Sequence, residues 1–165
     1  LFRHVARKRG SRNADFKNLI RENYAAGSQS MKLTVETLVH APIARVWSAY
    51  TTPADITKWN FAIDAWHCPR ATVDLREGGA FSSRMEAKDG SFGFDFAGTY
   101  TKIVRHELIE YSFGDRSGAV EFLESANGVT VRSTFDAETE HSIEQQRDGW
   151  QTILNNFKKY VEATA

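Results

Sequence analysis

The sequence predicts an α+β domain in which one antiparallel sheet of about six or seven strands wraps a long C-terminal helix. Three observations carry this expectation. Over residues 142–163, Ile143, Trp150, Ile153, Leu154, Phe157, Tyr160 and Val161 recur at the three-and-four spacing that lays one apolar stripe along a helix. Residues 71–136 alternate apolar and polar nearly throughout, the period of strands with one buried face. Asp89-Gly90 and Asn127-Gly128 cut that region into hairpins, because both pairs suit tight turns that need positive φ. The helix stripe must be covered, and the sheet must cover something. The space they enclose either fills with side chains or holds a ligand.

Residues 1–30 carry seven Lys/Arg against Asp15 and Glu22, a net of +5, which leaves −5 for residues 31–165 because the whole chain sums to zero. Residues 1–30 are expected to be a leader outside the fold, vector-derived or disordered. A basic arm for nucleic acid or membrane is the alternative for that stretch. Residues 31–165 are expected to be a single domain. It opens with a strand, since Leu33, Val35, Thr37 and Val39 alternate with Lys32, Thr34 and Glu36. Pro42 suits a first helical turn, and Ile43, Val46, Trp47 and Tyr50 give the spacing of a short helix. Thr51-Thr52-Pro53 ends it, and a second short helix runs to Trp59. Residues 60–71 show no period and read as an irregular loop. Strands follow at 71–75, 81–87, 92–101, 108–113, 119–124 and 129–135. Ser142, with Gln145 three residues on, has the form of a capping box for the last helix.

Composition narrows the function. Hydrophobic residues at 41% and charged residues at 25% are ordinary for a globular domain. The acidic balance of residues 31–165 argues against nucleic-acid binding. No apolar run approaches the ~20 residues of a membrane span, and no secretory signal is visible, so a cytoplasmic location is expected. Cys68 is the only cysteine, which rules out an internal disulfide and leaves too few thiolates for a Cys-based zinc site. His67 beside Cys68 lacks convergent partners, and His40, His106 and His141 are scattered, so these histidines read as solvated or hydrogen-bonded. No phosphate-cradling loop, Ser-His-Asp arrangement or HExxH motif is present.

What remains is aromatic. Phe92, Phe94, Phe96, Gly98 and Tyr100 share one face of the strongest strand, facing Phe81, Met85, Tyr111 and Phe113 on its neighbours. Such a stripe lines an apolar cavity or packs as core, and the two readings carry comparable weight. Trp59 or Trp66 at the loop end and Trp150 on the helix complete the candidate lining. The inward polar set is Ser83, Tyr100, Tyr111 and Ser133, a thin one for acid–base work. Arg84, Glu110 and Glu121 point outward by alternation. Gly149 interrupts the helix pattern and is expected to mark close passage over a strand, a bend, or a hinge that opens the cavity.

The order of these pieces resembles the START-like (SRPBCC) superfamily, and within it the branch named after the C-terminal domain of the activator of heat-shock-protein-90 ATPase. The residues that carry the resemblance are Ala41-Pro42 with Val46-Trp47, Thr52-Pro53 with Trp59, and the run from Asp74 through Gly78-Gly79 to Phe81. They continue in Phe96-Ala97-Gly98-Thr99-Tyr100 and in Gly149-Trp150, Leu154, Phe157 and Tyr160. Where the family commonly has two adjacent tryptophans, this chain has Trp59-Asn60. The resemblance implies a helix-grip fold, and it implies kinship with many uncharacterised bacterial proteins.

The first functional expectation is binding of a small hydrophobic or aromatic molecule between sheet and helix, by Trp59, Trp66, Phe81, Met85, Phe94, Phe96, Tyr100, Tyr111, Phe113 and Trp150. A chaperone-modulating protein-interaction module is the alternative the family name implies. A cyclase-like or hydrolytic enzyme using the same cavity is the third reading. The residues favour binding over catalysis, and no catalytic residue, metal or cofactor is assigned.

Overall fold

A computed structural model describes residues 31–165. The leader expected at 1–30 lies outside the described residues. The chain runs β1 (Lys32–Val39), α1 (Ile43–Thr51), α2 (Pro53–Trp59), β2 (Trp66–His67), β3 (Ala71–Val73), β4 (Ala80–Ala87), β5 (Gly93–Val104), β6 (Leu108–Phe113), β7 (Arg116–Ser125), β8 (Gly128–Asp136) and α3 (Ile143–Thr164). The strands form one antiparallel sheet in the order β1-β8-β7-β6-β5-β4-β2, with β3 also paired to β4. This is the expected grip: a curled sheet with a long terminal helix in its concavity.

Several details differ from the sequence reading. Residues 60–71 are not wholly irregular, because Trp66 and His67 pair with Ala87 and Glu86 as a two-residue strand too short to show a period. β5 begins after Phe92 and runs past Thr101 to Val104, with a register shift between Tyr100 and Lys102 that marks a bulge. β7 starts at Arg116, so Gly118 belongs to the strand rather than to the turn.

The last helix is built as its sequence specifies. Ser142 Oγ accepts from Gln145 N (3.1 Å), and Gln145 Oε1 accepts from Ser142 N (3.2 Å), which satisfies two amide groups that a helix start leaves orphaned. Gln146 then pins the preceding loop, accepting from Glu138 N (2.8 Å) and donating to the Glu138 and His141 carbonyls (3.0 and 2.9 Å). Farther along, α3 lies chiefly on β1, tied by Gln151 Nε2 donating to the Glu36 carbonyl (3.1 Å) and by Lys158 donating to that of Leu38.

Gly149 has no such packing reason. A Cβ placed there meets nothing within 4 Å, so close passage over a strand does not explain it. Gly149→Ala is therefore expected to raise stability by ~1 kcal/mol, through helix propensity alone, as read from urea denaturation.

The inner face of the sheet divides in two. At one end Val35, Val39, Val120, Val129 and Val131 pack with Val46 and Trp47 of α1 and with Phe157 and Val161 of α3, and all of these are buried. At the other end, on β4, β5 and β6, the inner side chains are aromatic. α3 meets that end mainly through Trp150.

A carboxylate locks the sheet near the junction of β1, β7 and β8. Asp136 accepts from Lys32 Nζ (2.7 Å), from Ser117 N (2.8 Å) and from Ser117 Oγ (3.1 Å). Burial alone would raise its pKa, but the hydrogen bonds from Lys32 and Ser117 outweigh that and hold it below the ordinary value. Its stabilising contribution is therefore complete above the unfolded-state pKa of ~3.9 and is lost as pH falls through the lower folded-state value. The stability difference between wild type and Asp136→Asn, measured by denaturation across that acid range, is expected to shrink steadily toward low pH.

Candidate functional site

The aromatic end is assembled by two cross-strand pairs in which a ring lies over a glycine. Phe81 on β4 stands directly opposite Gly98 on β5, and a Cβ at Gly98 would sit 2.8 Å from the Phe81 ring and 2.0 Å from the Ser112 carbonyl oxygen. Tyr111 on β6 stands opposite Gly118 on β7, where a Cβ would sit 2.5 Å from both Cζ and the phenol oxygen of Tyr111. Each ring lies flat along the sheet because its partner has no side chain. The Gly78-Gly79 turn fixes a third ring, since Gly78 N donates to the Tyr100 carbonyl (2.7 Å) and Tyr100 N donates to that of Gly79 (2.9 Å). Gly78 has φ +81°, which glycine adopts without strain.

These devices bring six of the ten sequence candidates together. Phe81 lies 5.0 Å from Tyr100 and 5.5 Å from Tyr111 between ring centroids, and Phe96 lies 5.3 Å from Phe113. Trp150 reaches the cluster from α3, 5.9 Å from Phe96 and 6.4 Å from Phe113. It is held there by stacking on Phe135, at 3.8 Å and 10°. Tyr100, Tyr111 and Phe113 are buried, whereas Phe81, Phe96 and Trp150 keep part of their surface exposed. That remaining surface belongs to side chains on the concave face of the sheet and on the helix above it.

Polar groups enter among the rings. Ser133 Oγ on β8 is buried, and its near neighbour is the Tyr111 phenol, whose pKa it lowers as a hydrogen-bond partner although the pair falls outside ordinary geometry. Burial pushes the Tyr100 phenol up to about 12. Burial likewise raises Tyr50, aided by Tyr100, and raises Tyr111, aided by Tyr50 and opposed by Arg116 and Ser133. At neutral pH these are uncharged donors, suited to holding an oxygen atom and unsuited to acting as bases.

The other four candidates lie elsewhere. Trp59 is core: it is 5% exposed, it packs 4.9 Å from Phe157, and its Nε1 donates to the Ala49 carbonyl (2.9 Å). Trp66 and Phe94 join Phe92 in a separate ring cluster at the far end of the β4–β5 hairpin, with Met85 directly opposite Phe94. Phe92 and Phe94 are 60% and 42% exposed, so the stripe read as one buried or binding face splits, and only Phe96 and Tyr100 reach the grip. The helix covers the inner face only as far as Trp150 reaches.

Tyr50 and Phe135 were not among the sequence candidates. Tyr50 looked like one more helix position, and Phe135 like one more alternating strand residue.

The remaining reactive groups are accounted for locally. Cys68 is buried, its Sγ donates to the Arg70 carbonyl (3.5 Å), and burial pushes its thiol pKa up, which disfavours the nucleophilic thiolate. Arg84 does point to the outer face, where it lines a recess of ≈ 60 Å³ with Arg70, Thr72, Ser82 and Asp95. Glu138, Glu140 and His141 approach one another, but the Glu138 carboxylate is occupied by the Glu140 and His141 amides as a turn cap.

Among the described residues no helix is long and apolar enough to cross a membrane. No curated protein matches the sequence. The family model described as "Activator of Hsp90 ATPase homolog 1-like protein" matches residues 40–162. An AHSA1-like protein from Aeromonas hydrophila, known from its solution structure, is 44% identical over 81% of this chain and 94% of its own, with a TM-score of 0.77. A protein from Cytophaga hutchinsonii is 43% identical over 81% of this chain and 93% of its own, with a TM-score of 0.70. The crystal structure of a Chromobacterium violaceum protein shares the fold at 24% identity, covering 80% of this chain and 98% of its own, with a TM-score of 0.72. With the family's residues spanning α1 to the end of α3 and its relatives sharing the grip, this chain belongs to the activator of Hsp90 ATPase homolog 1-like family.

Proposed function

We propose that the domain binds a small hydrophobic or aromatic molecule between the sheet and α3, against Phe81, Phe96, Tyr100, Tyr111, Phe113 and Trp150. The observation that carries this reading is the contrast between the two ends of one concave face. Val35, Val39, Val120, Val129 and Val131 are all buried beneath α1 and the C-terminal half of α3, while Phe81, Phe96 and Trp150 at the aromatic end are only partly buried. The reading is tested by native mass spectrometry of the protein purified from cells, followed by a thermal-shift screen against fatty acids, flavonoids and aromatic polyketides. A co-purified ligand, or a saturable shift that Phe96→Ala weakens and Phe94→Ala leaves unchanged, is expected. A clean apo mass with no shift would contradict it.

One observation favours a second reading, a protein-interaction module acting on a chaperone. Trp66, Phe92 and Phe94 form an aromatic patch outside the grip, with two of its three rings largely exposed. Titration of Hsp90 with wild type and with Phe92→Ser/Phe94→Ser tests it, and an affinity that the double variant abolishes is the result it requires.

A further inference from the structure

The outer face of β4 carries a guanidinium that is held in place without a hydrogen-bonded carboxylate. Arg84 alternates with the buried Ser83 and Met85, so it stands on the side of the sheet away from the aromatic end. Its guanidinium lies over Gly93, where a Cβ would come within 2.7 Å of Nη2. The side chain is 26% exposed, and Nε is buried without a partner. Glu86 stands 3.8 Å from Nε and Asp95 3.6 Å from Nη1, both beyond hydrogen-bond reach. Arg45, Arg76 and Arg132, by contrast, donate to carboxylates at 3.2, 2.9 and 2.8 Å.

A second arginine stands beside it. Arg84 N donates to the Arg70 carbonyl (3.0 Å), which continues the β3–β4 register and puts Arg70 directly across from Arg84 on the same face. Like charges so placed destabilise a sheet, and an anion shared between them removes that cost. One step along the same face, Thr72 and Ser82 are paired across β3 and β4. These four residues, with Ala71 and Asp95, line a recess of ≈ 60 Å³, room for one small group. Two guanidinium groups against one carboxylate give that lining a net charge of +1, and Asp95, 56% exposed, has room to turn into solvent. The recess is thus positive on a domain whose residues 31–165 sum to −5. A seated guanidinium fork, a second cation and two hydroxyls around one small space suit the several acceptor oxygens of a tetrahedral oxyanion.

We propose that the recess between Arg70 and Arg84 binds one phosphate or sulfate group, with Arg84 as the positioned fork, Arg70 closing from the edge strand, and Thr72 and Ser82 donating their hydroxyls. Asp95 competes with the anion for the Arg84 guanidinium. The site lies on the opposite face of the sheet from the grip, so it stands or fails independently of the ligand proposed there.

The test titrates the ¹⁵N-labelled full chain with inorganic phosphate, phenyl phosphate and acetate at constant ionic strength, following the arginine Nε–Hε and backbone amide resonances. Saturable shifts at Arg84 Nε–Hε and at the Thr72 and Ser82 amides are expected with at least one of the two phosphates, and the tighter of them tells whether the group is bound free or on a larger ligand. Arg84→Gln and Arg70→Gln are each expected to weaken binding by about tenfold, as loss of a charge-assisted contact does. Asp95→Asn is expected to tighten it by about threefold, because the competing charge is gone. Arg76→Gln, which breaks a pair with Asp74 outside the recess, should leave it unchanged. Shifts that do not saturate, or an Arg84→Gln variant that binds like wild type, would overturn the site as general attraction to surface cations. An Asp95→Asn variant that binds no more tightly would place the anion outside the recess and overturn it equally. Acetate binding as tightly as both phosphates would overturn the tetrahedral assignment.

Discussion

Phe157→Ala is expected to destabilise the domain by ~3–5 kcal/mol, the range for removing a large buried aromatic and leaving a cavity. Phe157 has no exposed surface and sits where α3 meets both short helices, 4.9 Å from Trp59 and 5.4 Å from Tyr50. Its neighbours cannot collapse into the space it leaves. Trp59 is fixed by its hydrogen bond to Ala49, and Tyr50 is wedged against Phe122. Against the ~5–15 kcal/mol by which domains of this size are stable, the loss should be plain as a large drop in the urea midpoint at unchanged slope. A loss below about 1 kcal/mol would mean that α3 does not anchor the core.

The second large effect is expected from a single added methyl group. Gly98→Ala places a Cβ 2.0 Å from the Ser112 carbonyl oxygen and 2.8 Å from the Phe81 ring. A flexible side chain could swing away, but the nearest atom is backbone of the neighbouring strand, so β5 and β6 must part. The expected cost is at or above the ~3 kcal/mol that ends the usual range for overpacking. Displacement of the Phe81 ring should also weaken any ligand held against Phe81 and Tyr100. Denaturation and ligand titration of this variant, beside Gly149→Ala as a glycine with open space around it, separate a packing role from general intolerance of change. Equal tolerance at both positions would contradict the role given to the Phe81–Gly98 pair.

Much of the fold was legible because it is written in local signals. The capping box Ser142–Gln145, the stripe from Ile143 to Val161 and the turns at Asp89-Gly90 and Asn127-Gly128 each act within a few residues, and each forms as its chemistry requires. The candidate site was legible in part. Alternation placed Phe96, Tyr100, Tyr111 and Phe113 on the inner face, but it cannot say how far along the sheet the helix reaches. Phe94 therefore carries the same sequence signal as Phe96 and ends largely exposed. Gly118 read as part of a turn because its function depends on a ring one strand away. Tyr50 and Phe135 gained their positions from contacts long in sequence, which no local period encodes. Gly149 was the reverse case, where a feature expected to mean close packing has open space around it.

The most direct test of ligand binding in the grip is a set of intermolecular NOEs between benzophenone and the aromatic side chains of the domain in solution. Contacts from the probe to Trp150, Phe96, Phe81 and Tyr111, with none to the Trp66–Phe92–Phe94 patch, are the predicted result. Contacts confined to that outer patch would contradict it and move the binding surface to the far end of the β4–β5 hairpin.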